Sequence, residues 1–151
     1  MLIDEVRDSL EMIKTTGKVD QSLLSKLDEL SNLFKGHKER WLMSPNTRIN
    51  LYFYYAARIA ELVAVRIKER LSVQVYENKK NIEISPNLIA LLGDVLDLTQ
   101  KKLPDEASVK SVMERARELR AIATTAKLLE PNEKELLDVD KLLSYLSKLR
   151  K

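Results

Sequence analysis

The side chains that could perform acid–base or metal chemistry in this sequence are one histidine and several pairs of carboxylates. His37 stands in "FKGHKERW", and the pairs include Asp94 with Asp97 and Asp138 with Asp140. A histidine can act as a general base near neutral pH, and carboxylates three residues apart on a helix share a face. No nucleophile motif accompanies His37, so we predict a histidine on a solvated loop. Because the chain has 23 acidic residues, such pairs arise by chance, and we predict no metal role for them.

Motifs that hold metals, phosphates or cofactors are absent from the sequence. A single histidine without any cysteine cannot form a zinc site, and neither an HExxH nor a CxxC pattern occurs. With three widely separated glycines, the chain has no GxxxxGK[ST] or GxGxxG loop that could cradle a phosphate. We therefore expect a protein that is not an enzyme and that has no catalytic, cofactor-binding or metal-binding residues.

The composition favours a globular chain with no strong attraction to polyanions. Hydrophobic residues make up 44% of the 151 residues and charged residues 32%. The formal net charge is only +3, so the dense basic stripe of most nucleic-acid binders is missing. The N-terminus "MLIDEVRDSL" is acidic and amphipathic, unlike a signal peptide, and the lack of cysteine fits a reducing compartment. We expect a cytoplasmic protein.

Glycine and proline are rare, so they mark the ends of segments in which apolar residues recur at helical spacing. Gly36 is predicted to end the second of these helices. The sequence "SPN" occurs at residues 44–46 and 85–87, and each copy places a capping serine before a proline at the first helical position. The predicted helices span about residues 2–14, 22–35, 46–71, 86–103, 105–129 and 133–149.

Between the third and fourth predicted helices, the sequence "LSVQVYENKKNIEIS" changes from helical to alternating spacing. Val73 and Val75 alternate with polar or aromatic neighbours, as Ile82 and Ile84 do, and Asn and Lys fill the gap. Alternation of this kind predicts a short antiparallel hairpin over about residues 72–84.

These elements define the fold class as mainly α: a helical bundle of about six helices with one short β-hairpin. We predict a helical bundle domain over residues 1–103 that contains the hairpin. Residues 105–151 form a C-terminal segment that is helical or contains a small degenerate β element, for which "LRAIATTAKLL" is the candidate strand.

The third predicted helix, "NTRINLYFYYAARIAELVAVRIKERL", has two apolar faces. At about 100° per residue, one sector roughly 120° wide holds the side chains expected in the core: Ile49, Tyr52, Phe53, Ala56, Ile59, Ala60, Val63, Ile67 and Leu71. The opposite side is also apolar and aromatic. Either the chain packs on it, as on the central helix of a bundle, or it docks a partner subunit, for which tyrosine and arginine are favoured. The candidate partner-binding residues are Leu51, Tyr54, Tyr55, Arg58, Leu62 and Val65.

A membrane-spanning helix is excluded for this segment. The uncharged run over residues 49–57 is far shorter than the roughly 20 apolar residues that a span needs.

Basic and aromatic residues near these elements offer a weaker nucleic-acid signal. A positive rim for an acidic partner or a nucleic-acid backbone could be formed by Arg66, Lys68, Arg70, Lys79 and Lys80, although a solvated face is the favoured interpretation. Trp41 follows "HKER" and could stack on a base, but a tryptophan that fills the space between two helices is the stronger hypothesis.

Taken in order, residues 1–103 resemble the helical domain of GINS DNA replication complex subunits, in particular the archaeal type in which this domain comes first. The likeness lies in a short first helix, "LIDEVRDSLEMIK", a second, "DQSLLSKLDELSNLFKG", and a long arginine-opened helix rich in Tyr and Leu. In that long helix, similar spacings are found at Arg48, Tyr54, Arg58 and Leu62. A connection containing "PN" and the helix of "SPNLIALLGDVLDLTQKKL" complete the pattern. GINS subunits usually carry a small β-rich second domain, and the helical pattern of residues 105–151 departs from it.

The resemblance implies a non-catalytic scaffold subunit that assembles with sister subunits and bridges the MCM helicase to a RecJ-like protein. It also implies that the outer face of the third helix is buried against a sister subunit. The alternative is a small helical, nucleic-acid-associated subunit of a CRISPR effector or primase complex. We expect a hetero-oligomer of proteins, with nucleic-acid contact at most indirect and no membrane association.

Overall fold

The computed structural model describes residues 2, 4–6, 8–9, 21–42, 47–77, 86–100 and 106–149. Five helices have defined bounds: α1 (Gln21–Leu42), α2 (Thr47–Glu77), α3 (Pro86–Thr99), α4 (Glu106–Thr125) and α5 (Lys134–Leu149). The described residues between positions 2 and 9 are helical as well. The prediction of a mainly α helical bundle is therefore confirmed.

Helices α1 and α2 pack side by side in opposite directions. Lys38 near the end of α1 contacts Glu61 in the first half of α2, whereas Asp28 near the start of α1 contacts Lys68 further along α2. This reversed order of contacts is that of an antiparallel pair, as expected for helices joined by a short connection. The stacked rings of Trp41 and Phe53, with centroids 4.6 Å apart, close the end of the pair nearest the connection.

The prediction of a hairpin over residues 72–84 is wrong. Its first strand lies inside α2, which continues without interruption to Glu77, while residues 81–84 lie outside the described residues. Two alternating valines are a weak signal, because extending an existing helix by one residue gains a hydrogen bond without a new nucleation cost. The Ser72 hydroxyl donates to the carbonyl of Lys68 one turn earlier, so this side chain fits the helical ladder.

The prediction that Gly36 ends the second helix is also wrong. Helix α1 passes through Gly36 and extends to Leu42. An interior glycine costs a helix only about 1 kcal/mol relative to alanine, and the turn beyond it buries Trp41. The start of α3 at Pro86, in contrast, confirms the position predicted from the second "SPN".

One hydrophobic core joins the helices, and it takes residues from both sides of the predicted domain boundary. The core sector predicted for the third helix is confirmed where its side chains are described, since the residues from Phe53 to Leu71 in that sector are fully buried, while Tyr52 packs against the core partly buried. Val6 near the N-terminus and Leu136 and Val139 on α5 belong to the same cluster. The division at residues 103–105 remains a prediction.

Helix α4 ends in a Schellman motif whose left-handed residue is a lysine. The N–H of Leu128 donates to the carbonyl of Ala123 at 2.9 Å, and the N–H of Lys127 donates to that of Thr124 at 3.0 Å. Lys127 has a φ of 62°, and the buried pair Leu128 and Ala123 supplies the apolar contact that accompanies this motif. The helix therefore stops at Thr125 rather than near Leu129, and the candidate strand in this region is helical up to that point.

Among the described helices, none has the length and apolar character that crossing a bilayer requires.

Candidate partner-binding surface

The second face of α2, predicted to bind a partner, is largely covered by the chain itself. Tyr55 is only 2% exposed and Leu62 only 7%. Leu51, Tyr54 and Val65 are half-buried and keep part of their surface. Of the two interpretations left open by the sequence, a helix packed on both sides by its own chain describes Tyr55 and Leu62.

Ion pairs that cross this face tie α2 to the helices on either side. Arg58 contacts Glu61 at 3.1 Å on its own helix and Glu135 of α5 at 2.8 Å. Glu61 also accepts from Lys38 of α1 at 2.9 Å. The predicted interface arginine is thus the centre of a chain of charges that connects α1, α2 and α5.

A second polar cluster lies beside Tyr55 and joins α2, α4 and α5. Arg120 donates to both carboxylate oxygens of Asp140, at 2.6 and 2.9 Å, in a bidentate pair. These hydrogen bonds to Asp140, with a further one to Tyr55, raise the pKa of Arg120 above its ordinary value. The tyrosine hydroxyl that would suit an interface is therefore occupied within the fold.

The described members of the predicted positive rim also contact the chain itself. Arg66 pairs with Glu133 and Glu69, Lys68 pairs with Asp28, and Arg70 donates to the carbonyl of Ala126 at 2.9 Å. Carboxylates therefore offset the charge of Arg66 and Lys68, whereas Arg70 bonds to a neutral carbonyl and keeps its charge. Lys79 and Lys80 lie outside the described residues.

The expectation of a solvated loop around His37 is wrong, because this residue is half-buried on α1 and faces the end of α3. Its Nδ1 lies 3.1 Å from the hydroxyl of Thr99, and that hydroxyl already donates its proton to the carbonyl of Val95. The Thr99 oxygen must therefore accept from His37, which assigns the proton to Nδ1. Burial, and then the positive charge of Arg40, lower the pKa of His37.

Two further side chains near the end of α1, Arg40 and Trp41, cap the C-terminal end of α3. The carbonyl of Thr99 accepts hydrogen bonds from Arg40 at 2.6 Å and from the indole of Trp41 at 2.9 Å. Carbonyls in the last turn of a helix lack intrahelical partners and carry partial negative charge, so a cation and an N–H donor stabilise them. The hypothesis that Trp41 fills the space between helices agrees with its burial and its stacking on Phe53.

One member of each predicted carboxylate pair lies beside an arginine. Asp140 is engaged by Arg120, and Asp94 lies 3.7 Å from Arg115. Within the part of the chain that the structure describes, no group of three or more potential ligands could hold a metal ion. The buried amide of Asn50 has no hydrogen-bond partner there for either its nitrogen or its oxygen.

One exposed apolar surface was not among the sequence predictions: the outer face of α5. Three large hydrophobic side chains of this helix are exposed: Leu137 (45%), Leu142 (36%) and Tyr145 (60%). Lys134, Lys141 and Lys148 lie on the same side and line an open depression together with Leu137 and Tyr145. A helical wheel of residues 134–149 could have revealed this face, because Leu136 and Val139 mark the buried side and the lysines recur every seven residues.

Comparison with known proteins found no match to any family model, any curated protein or any solved structure. The geometry of the described helices is therefore what supports a function for this chain.

Proposed function

We propose that this chain is a non-catalytic scaffold subunit of a heteromeric protein assembly. The observation that supports the proposal is the exposure of Leu137, Leu142 and Tyr145 on a single helix of 16 residues. Isolated exposed hydrophobic residues are ordinary, but Leu142 and Tyr145 are neighbours at three-residue spacing. Leu137 lies about 80° from Tyr145 around the exposed side of the same helix. Tyrosine and large aliphatic side chains grouped in this way are typical of protein interfaces.

The half-buried residues of α2 extend the proposed role to a second, smaller surface. Leu51, Tyr54 and Val65 retain accessible area along one side of the helix. In this proposal Tyr55, Arg58 and Leu62 support the surface from within, because they pack or pair inside the chain.

A GINS-like DNA replication complex is the specific assembly that we propose. The order of the helices and the long Tyr-rich helix α2 support it through the resemblance described above. In such an assembly the chain would bridge the MCM helicase to further replication proteins.

The test is an affinity purification of the full chain from its native host, with mass-spectrometric identification of the proteins that co-purify. We expect wild type to carry a stoichiometric partner, and the variant Leu137→Asp/Tyr145→Asp to lose it. The matched control is Ala107→Asp/Ser111→Asp, which adds the same two charges at exposed positions of α4 and should keep the partner. Thermal unfolding of each variant checks that the fold survives.

Three outcomes would contradict the proposal at different levels. A wild-type chain that behaves as an inert monomer by light scattering, with no partner from its host, argues against any assembly role. Equal loss of the partner in both variants argues against this surface. Partners that include no replication protein contradict the GINS-like form alone.

A further inference from the structure

We propose that the outer face of α5 binds an acidic segment of the partner protein, one that carries apolar residues between its carboxylates. This inference rests on the assembly role proposed above and names the chemistry of the partner. The feature that supports it is a row of three lysines, Lys134, Lys141 and Lys148, here called the lysine row.

The lysine row follows one line along α5. At about 100° per residue, the three positions fall within roughly 40° of one another, and at 1.5 Å per residue the row is about 21 Å long. All three lysines are exposed, and none of them has an ion pair among the described residues.

Most of the acidic residues that could neutralise the lysine row are already engaged. Glu135 pairs with Arg58 of α2, and Asp140 pairs with Arg120 of α4. Asp138 is the remaining described carboxylate on the outer side of the helix, and it is exposed. The face therefore presents an excess of positive charge that acidic groups of a partner would complement.

Apolar side chains on both edges of the lysine row favour a protein over a nucleic acid. On the helical wheel, Leu137 lies on one side of the row and Tyr145 on the other, with Leu142 beyond it. A tyrosine could stack on a base, but the leucines gain most by burial against apolar side chains. Lysine stems can cover such apolar contacts while their ammonium groups reach carboxylates.

A second copy of this chain fits the face poorly. In a two-fold symmetric contact the same patch faces itself, and Lys141 stands at the centre of α5, which runs from Lys134 to Leu149. Two antiparallel copies would therefore place Lys141 against its symmetry mate at the axis. Like charges in contact disfavour this dimer, so the occupant has to bring the opposite charge.

The test measures binding of labelled probes to the full chain by fluorescence anisotropy. The first probe is a fluorescein-labelled peptide with leucines and with glutamates at seven-residue spacing; the second has a lysine in place of each glutamate. The third probe is labelled oligothymidylate. The variant Lys134→Glu/Lys141→Glu/Lys148→Glu reverses the lysine row. Its control, Lys35→Glu/Lys110→Glu/Lys127→Glu, makes the same change of net charge at exposed positions on α1, on α4 and after α4.

We expect saturable binding of the glutamate peptide that weakens with added salt. Reversal of the lysine row should weaken it by about tenfold or more, whereas the control should change it by less than about threefold. The reversed variant should instead gain affinity for the lysine peptide. Equal effects of the two triple variants, equal binding of both peptides, no saturable binding, or tighter binding of oligothymidylate through the same lysines would each overturn the inference.

The assembly assay separates this inference from the proposed function. If the host partner is lost from Leu137→Asp/Tyr145→Asp but retained by the lysine-row reversal, the scaffold role stands and the acidic partner is refuted. If wild type binds the glutamate peptide through the lysine row but has no host partner, the scaffold role fails and the surface chemistry stands.

Discussion

Replacing Lys127 with glycine should stabilise the protein, because the backbone at this position has the conformation that glycine adopts at least cost. The residue has a φ of 62° and forms the left-handed turn of the Schellman motif after α4. That conformation costs an L-residue about 1–2 kcal/mol. A glycine, in turn, gives the unfolded chain additional freedom worth about 0.4–1 kcal/mol. The difference predicts a gain of about 0.5–1 kcal/mol in the free energy of unfolding for Lys127→Gly.

The effect is large enough to measure by calorimetry and by urea unfolding. For a chain of this length, the gain corresponds to a rise in Tm of about 1–4 °C. With an m-value of about 2 kcal/mol/M, it shifts the urea midpoint by about 0.3–0.5 M. Lys127→Ala keeps the Cβ and should gain nothing, and Lys127→Asn should fall between the two because asparagine tolerates the left-handed region. If glycine proves no more stable than alanine here, the left-handed turn is not the conformation in solution.

Three further perturbations test other parts of the fold. Gly36→Ala adds a Cβ that meets no atom within 4 Å at an exposed position of α1. We therefore expect the free energy of unfolding to rise by about 1 kcal/mol. A lower Tm for this variant would contradict a continuous helix. Because the pKa of His37 is lowered in the folded state, its contribution to stability should be complete above about pH 6.5 and should fall as the pH drops from there through the lowered value. His37→Gln should remove this slope, measured by urea unfolding between pH 5 and 7.5, and an unchanged slope would refute the assignment. A double-mutant cycle of Arg120→Met with Asp140→Asn should give a coupling of about 1 kcal/mol, since the bidentate pair is half-shielded from water, and additive effects would exclude the interaction.

Helix positions followed from the sequence where a local residue decides the backbone conformation. Proline at the first helical position located the start of α3 at Pro86, and the helical repeat of apolar residues located the buried sector of α2. Gly36 and Lys127 show the limit of the same reasoning. Gly36 lies inside α1 because the turn that follows it carries Trp41 into the core. Lys127 occupies a position that favours glycine because Leu128 and Ala123 are buried beside it. Both outcomes are decided by tertiary packing that no local pattern contains.

The candidate site was harder to predict for a related reason. A helical wheel can show that α2 has two apolar faces, but it cannot show which segment covers the second. Here Tyr55 and Leu62 are buried within the chain, and Arg58 reaches Glu135 of α5, a contact between residues far apart in sequence. The rim that includes Arg66, Lys68 and Arg70 stays a prediction. Folding brings Glu133 beside Arg66 and Asp28 beside Lys68, and the sequence pattern alone does not show these contacts. On the helical wheel of α5, the lysine row lies opposite Leu136 and Val139, so the sequence could have indicated which side of this helix faces solvent.

The inner side of α5 contributes to folding and its outer side is exposed, so substitutions can test the two sides separately. Its inner side carries Leu136 and Val139 into the core and places Asp140 against Arg120, so changes there alter folding. Its outer side presents Leu137, Tyr145 and the lysine row, which have no hydrogen bond or ion pair among the described residues. Substitutions on the outer side should therefore change the free energy of unfolding by no more than about 0.5 kcal/mol, the range typical of exposed positions. A loss of binding at constant Tm can then be attributed to the surface itself, because the bundle beneath it is held by other residues.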